Sequence, residues 1–222
     1  MNIPIIERYT MPKPGAWPPN RTAWTLDPSR CGLLIHDMQH YFLGFFPAGV
    51  SPVKELLANI AGLKSRCRAL GIPVFYSQAS AQTPAERGLV ADFWGKGMGD
   101  GASMTGIVDA LAPDEVDIVI RKHRYSAFHR TELLEQMRSR GRDQLLVCGV
   151  YAHLGCLVTA LDAFMHNIQA FMVSDALADL SEEEHLMALS YAARRCASVV
   201  SSQEARAALE VGRAFRESIG KR

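Results

Sequence analysis

The stretch Gly149-Val150-Tyr151-Ala152-His153-Leu154-Gly155-Cys156 lies between an apolar run at 144–147 and an apolar helical pattern that follows it. A strand, a turn and a helix in that order make half of a βαβ crossover. The turn gathers backbone N–H groups and small residues where the positive end of a helix favours an anion. The same punctuation repeats on both sides. Short apolar runs at 32–35, 72–76, 116–120, 144–147, 170–173 and 198–200 predict buried strands of a parallel sheet. Between them, Ser51-Pro52 offers an N-cap and a first-turn proline. Val53, Leu56, Leu57, Ile60 and Leu63 then recur at helical spacing as far as Gly71. Thr131 opens a second helix with Leu133, Leu134 and Met137 facing inward. Ser181-Glu182-Glu183-Glu184 predicts a capping box for a helix to about Arg195. Ser201 and Glu204 predict another, before an amphipathic helix carrying Leu209 and Phe215. Alternating units of this kind imply right-handed crossovers and a three-layer α/β domain.

Bulk properties narrow the partners. The chain has 222 residues, 48% hydrophobic and 21% charged, enough for one domain with a substantial core. Its net charge of +1 gives no global field toward nucleic acid or a membrane surface. Five cysteines, odd in number and scattered through apolar segments, argue against disulfides and for a reducing compartment. No apolar run approaches the ~18 residues of a membrane span, and the N-terminus lacks a signal-peptide core, so a cytoplasmic location is expected. Six of the eleven prolines fall in the first 28 residues, so residues 1–30 are expected to form an extended arm packing on the body. Trp17 and Trp24 are its expected anchors.

Open α/β sheets bind ligands beyond the carboxyl ends of their strands, near the switch in strand order. Asp37 follows the first run, Gln78 the second, Lys122 the third, and Tyr151 to Gly155 the fourth. Four chemical elements thus converge on one rim. The strings Leu33-Leu34-Ile35-His36-Asp37-Met38-Gln39, Lys122-His123-Arg124-Tyr125-Ser126-Ala127-Phe128, the 149–156 stretch, and Phe171-Met172-Val173-Ser174-Asp175-Ala176-Leu177-Ala178-Asp179 resemble the isochorismatase branch of the cysteine-hydrolase superfamily. The likeness runs from the arm to about residue 205. It implies a Rossmann-like domain with a six-stranded, mainly parallel sheet over 31–205, followed by a C-terminal helical extension at 206–222.

Members such as nicotinamidases use an Asp–Lys–Cys triad. Asp37 matches the aspartate, Lys122 the lysine, and Gly155 the nucleophile's position, with Cys156 one residue later. One helical step turns a side chain by about 100°, so Cys156 should face the core as a packing residue. Without a nucleophile, acyl chemistry fails, but an enol ether needs only a proton delivered to its vinyl carbon. Asp37 is the expected general acid, a role commonly worth ~10²–10⁴ in rate. A neighbouring ammonium favours an ionised carboxylate, which opposes acid catalysis. Burial beside Phe42 and Trp94, with substrate carboxylates engaging Lys122, is expected to restore the proton on binding.

The resemblance further implies that Arg87 reaches a substrate carboxylate, that Tyr125, Tyr151 and Gly155 contact the ring or the enolpyruvyl group, and that Phe42 and Trp94 wall the pocket. Gln78 would be a substrate ligand, although Ser77-Gln78-Ala79-Ser80 stands where the family has Thr-Ala-Gln-Pro. His123 replaces a common tryptophan and Lys96 a common proline. His36 and His153 are expected to be structural histidines. No Asp-x-His spacing is present, no metal site is expected, and the reaction needs no cofactor. The expected substrate is a small chorismate-derived anion: isochorismate, giving pyruvate and 2,3-dihydro-2,3-dihydroxybenzoate in a siderophore-type pathway. The first alternative is 2-amino-2-deoxyisochorismate in phenazine-type biosynthesis. A Cys156-dependent amidohydrolase and a catalytically silent binding paralogue are the others. A free-standing homodimer is implied, with any aryl carrier protein separate.

Overall fold

The computed structural model describes residues 3–219, without the side chains of Ala102 and of 213–219. The inward face expected of Phe215 and the last residues of the 206–222 extension therefore lie outside the described residues. The first half of the chain runs β1 (Cys31–His36), α1 (His40–Leu43), α2 (Val53–Ala69), β2 (Val74–Ala79), α3 (Pro84–Arg87), α4 (Val90–Trp94), α5 (Ala102–Thr105) and β3 (Ile118–Lys122). The second half runs α6 (Leu133–Arg138), β4 (Gln144–Val150), a π-helical turn Ala152–Cys156, α7 (Leu157–Met165), β5 (Gln169–Ala178), α8 (Glu182–Arg195), β6 (Ala197–Val200) and α9 (Ser202–Ile219). The six strands form one sheet of order β3-β2-β1-β4-β5-β6, and every pairing is parallel. The expected α/β architecture is therefore the observed one.

Strand alternation builds the three layers, because successive side chains point to opposite faces. Leu33, Ile35, Val74 and Tyr76 pack with Leu56, Ile60 and Leu63 of α2 and Ala205 and Leu209 of α9. Leu34, Phe75, Leu145 and Val147 pack on the other face with Met137 of α6, Ala160 of α7 and Ala192 of α8. The central strands are covered on both faces and their middles are apolar, as buried parallel strands are, whereas edge strand β3 exposes Val119 and Arg121.

The differences from expectation sit at element ends. The run at 116–120 becomes Ile118–Lys122, because Val116 is exposed in a turn. The run at 72–76 becomes Val74–Ala79, because the Ile72 N–H closes the end of α2 on Cys67 O at 2.9 Å. Ser51 does not cap α2; its Oγ accepts the Met11 N–H of the arm at 3.1 Å. The helix placed at Thr131 starts at Leu133. Ser201 and Glu204 form the expected reciprocal box, the Ser201 N–H reaching Glu204 Oε2 at 2.7 Å and the Glu204 N–H reaching Ser201 Oγ at 3.2 Å. Helix α9 runs unbroken through the 205/206 boundary.

Residues 3–30 form no helix or strand and wrap the body. Trp24 sits edge-on to Phe171 at 6.3 Å on one face of the sheet, and Trp17 packs on the other. Asn20 pairs with the backbone of edge strand β6, accepting the Val199 N–H at 2.7 Å and donating to its carbonyl at 2.8 Å, which occupies groups an edge strand otherwise leaves open. Tyr9 accepts the Asp179 N–H at 2.7 Å, and its hydroxyl donates to Nδ1 of buried His185 at 3.2 Å. His185 Nε2 lies 3.1 Å from Ser174 O and donates to it, so a neutral ring satisfies both partners. No helix among the described residues is long and apolar enough to cross a membrane.

Burial lowers the His185 pKa from 6.5 to about 4. The unfolded chain therefore binds a proton that the folded chain refuses. The stability involved is present above pH 6.5 and is lost as pH falls from there toward 4. Thermal melts are expected to show the transition temperature falling between pH 7 and pH 5, with a shallower fall in His185→Gln; equal slopes in the two proteins would contradict this account.

Candidate active site

The strand order reverses between β1 and β4, and their carboxyl ends define the cavity. It is lined by Asp37, Tyr41, Phe42, Arg87, Trp94, Lys122, His123, Arg124, Tyr125, Tyr151, Leu154 and Gly155, with Ile3 reaching it from the arm. Eight of the nine sequence-selected residues therefore meet in one place: Asp37, Phe42, Arg87, Trp94, Lys122, Tyr125, Tyr151 and Gly155.

Asp37 follows the last residue of β1 with φ +49°, a left-handed conformation that Asp tolerates better than most side chains. Its N–H reaches Ser77 O at 3.1 Å, and Ser77 Oγ donates back to Asp37 Oδ1 at 2.7 Å. The other oxygen, Oδ2, accepts from Lys122 Nζ at 2.7 Å, and both residues of this pair are buried. Nζ also donates to Arg124 O at 3.0 Å and Tyr125 O at 3.4 Å. The three protons of the ammonium thus have acceptors inside the protein. The expectation that Lys122 is the anchor for substrate carboxylates is corrected accordingly. The cations with unspent donors at the cavity are Arg87, whose Nε donates to Gly95 O at 2.9 Å, and Arg124, which holds the Glu86 and His123 carbonyls.

Gln78 is also corrected. It does not line the cavity, and its Nε2 donates to Thr105 O at 2.8 Å. Gln39 works beside it from a fully buried position. Its Oε1 accepts the Ala79 N–H at 2.8 Å, and its Nε2 donates to Ala79 O at 2.9 Å and Thr105 O at 2.7 Å. Two glutamines converge on one carbonyl and pin α5 near the end of β2. The aromatic wall is similarly tied. Trp94 Nε1 donates to the Tyr125 hydroxyl at 2.6 Å, and the Tyr151 hydroxyl donates to Phe42 O at 3.0 Å, so Tyr151 offers the cavity chiefly its ring. His123 Nδ1 accepts from Ser80 at 3.1 Å and Gln82 at 2.5 Å, placing a polar ring where the resemblance has an indole.

The turn carrying Gly155 is π-helical: the Cys156 N–H reaches back five residues to Tyr151 O at 3.2 Å. The N–H groups before it lie ahead of the first intrahelical bond, as at any helix start. That of His153 goes to Asp179 Oδ2 at 2.6 Å, which leaves Leu154 and Gly155 to face the cavity. Cys156 points into the second core cluster, away from the cavity, and burial pushes its thiol well above the ordinary range. His153 binds Asp179 Oδ1 at 2.6 Å; burial lowers its pKa, but that bond and the charges of Asp179 and Glu184 outweigh burial and leave it raised. His153, Asp179 and Glu184 also form, among the described residues, a group compact enough to share an ion. Both Asp179 oxygens already accept N–H bonds from His153 and Leu180, so hydrogen bonding accounts for the cluster.

A family model described as the isochorismatase domain matches residues 31–204. The chain belongs to the isochorismatase family. It is 55% identical to an isochorismatase of Bacillus subtilis over 90% of this chain and 64% of that protein, so it spans a little under two thirds of that relative's length. It is 46% identical to phenazine biosynthesis protein PhzD1 of Pseudomonas aeruginosa, over 91% of this chain and 97% of that one. A solved cysteine hydrolase from Pseudomonas syringae shares the fold with a TM-score of 0.77 at 24% identity, covering 88% of this chain and 98% of that chain.

Sequence reasoning missed Tyr41, Ser80 and Gln82 as lining residues, and the bracing role of Gln39. Most sit on loops or turns outside the strand runs, where periodicity carries no signal. The signal for Gln39 was its place two residues after Asp37 on a strand end. Gln39→Ala would strip three hydrogen bonds from a fully buried position and is expected to cost about 2–4 kcal/mol in denaturant unfolding. A loss below about 0.5 kcal/mol would contradict the bracing role.

Proposed function

We propose that the chain hydrolyses the enolpyruvyl ether of isochorismate to pyruvate and 2,3-dihydro-2,3-dihydroxybenzoate. The observation that carries this reading is a buried Asp37–Lys122 pair at a cavity whose nucleophile position is a glycine, with the neighbouring thiol turned into the core. Such a site can move a proton but presents no thiol to form a covalent intermediate. The charged side chains lining the cavity are Asp37 against Arg87, Lys122 and Arg124, an excess of cations that suits a dicarboxylate. Arg87 and Arg124 take the carboxylates, and the N–H groups of Leu154 and Gly155 face the enolpyruvyl end.

Ser77 holds Asp37 Oδ1 and Lys122 holds Oδ2, which fixes the carboxyl group that carries the transferred proton. Protonation of the terminal CH2 by Asp37 gives a methyl group and an oxocarbenium ion at the ether carbon. Water adds there and returns one proton to Asp37. The resulting hemiketal passes its hydroxyl proton to the ether oxygen, which leaves as the ring alcohol, while the carbon becomes the keto group of pyruvate. One water is consumed and Asp37 is regenerated. Lys122 keeps Asp37 aimed and offsets its negative charge after transfer.

The likeness to the phenazine relative supports 2-amino-2-deoxyisochorismate as the second reading, since both substrates carry the same enolpyruvyl group. A cytoplasmic homodimer completes the proposal.

Coupled pyruvate assays with both substrates test it. Asp37→Asn is expected to lower kcat by about 10²–10⁴. Cys156→Ala is expected to keep turnover close to the parent, since its thiol only packs; loss of activity there would favour the thiol-dependent amidohydrolase. Release of pyruvate from neither substrate would overturn the reading in favour of a silent paralogue.

A further inference from the structure

His36 is the residue that the proposed reaction leaves without a task. It is fully buried between the end of β1, the end of β4 and the π-helical turn. Its Nδ1 lies 3.0 Å from Val150 O and donates to it, and the same atom is 3.6 Å from Asp37 Oδ2. Nε2 makes no hydrogen bond of ordinary geometry, and the Tyr125 backbone is the other main-chain group that acts on the ring beside Val150. Burial lowers the ring's pKa to about 4, so it is neutral at ordinary pH. A fully buried polar ring is costly, and an apolar residue would fill a strand end at lower cost.

The glycines around it show where the ring lies. A Cβ at position 155 would come within 2.9 Å of both ring nitrogens and closer still to Cε1. A Cβ at Gly149, where φ is +117°, would fall 2.8 Å from His36 N and closer to its carbonyl oxygen. Gly149 meets the backbone of residue 36, whatever its side chain, whereas a Cβ at Gly155 would meet the imidazole itself. Position 155 matches the nucleophile's place in the thiol-dependent relatives, so the imidazole stands where that side chain would project.

The geometry points to His36 as a positioning residue that, together with Gly155, excludes a side-chain nucleophile and buttresses the Asp37 carboxylate against Lys122. This deepens the enol-ether reading and rests on it for its kinetic half. The ring backs the oxygen that Lys122 also holds, 3.6 Å from Nδ1. The pair thereby sets the class of substrate: a proton acceptor such as a vinyl carbon, not an amide awaiting attack.

Gly155→Cys, His36→Val and the double variant test both halves in the full-length chain. Gly155→Cys alone is expected to lose about 5–10 °C in Tm through overpacking against the ring. The double variant is expected to melt higher than Gly155→Cys, because the smaller residue 36 makes room. It should also be alkylated by iodoacetamide at position 155, while the buried native thiols stay unmodified in peptide mapping. A parental Tm for Gly155→Cys, or a double variant no more stable than that single, would overturn the exclusion. In pyruvate release, His36→Val is expected to lower kcat by about 100-fold with KM within about threefold, since misplacing a catalytic group costs rate more than binding. His36→Asn, which keeps a donor toward Val150 O, should recover part of that loss. Unchanged kcat in His36→Val would overturn the buttress. Melting and labelling need no substrate, so they decide the packing claim even if the parent releases no pyruvate.

Discussion

The site depends on an ion pair made across a strand. Asp37 ends β1 and Lys122 ends β3, and β2 lies between them. Two strand spacings of about 4.8 Å separate the backbones, a gap that a lysine stem spans and a shorter cation would not. Ser77, on the intervening strand, fills the middle and holds Asp37 Oδ1. Burying two charges costs several kcal/mol per ion unless the surrounding lone pairs and protons are satisfied. Here they are: three acceptors meet the Lys122 protons, and two donors meet the Asp37 oxygens. The left-handed turn at Asp37, the glutamine clamp on Thr105 and the loop carbonyls of Arg124 and Tyr125 follow from that requirement.

The second constraint is volume. Parallel strands β1 and β4 close tightly at their carboxyl ends, and the room beyond them is shared among His36, Asp37 and the turn carrying Gly155. What one side chain occupies, another cannot. A fold shared with a solved cysteine hydrolase here carries a glycine at the position that matches the nucleophile, and the cations at the cavity outnumber its one carboxylate. The arm contributes as well, covering the edge of β6 and sending Ile3 to the cavity wall.

Much of this was legible in the chain because buried parallel strands are continuous apolar runs. All six strand centres are visible as such, and the residues following four of them mark the rim. The strand ends were less visible. Arg121 and Lys122 belong to β3 although both are charged, because that strand lies at the sheet edge and its end enters the cavity. Strand β5 continues to Ala178 through a register shift opposite Val147 and Gly149, which no local periodicity encodes. Gln78 and Gln39 show the same limit within the site. Both are polar residues near strand ends, and which of them faces a ligand depends on where α5 docks. His36 was legible as structural. The volume it denies to position 155 emerges only when β1 and β4 are side by side.

The most direct test of the central claim is the rate of pyruvate release from isochorismate in a single turnover, compared in H2O and D2O at matched acidity. Proton delivery from Asp37 to carbon as the slow step predicts a clearly slower rate in D2O. Equal rates in the two solvents would contradict it.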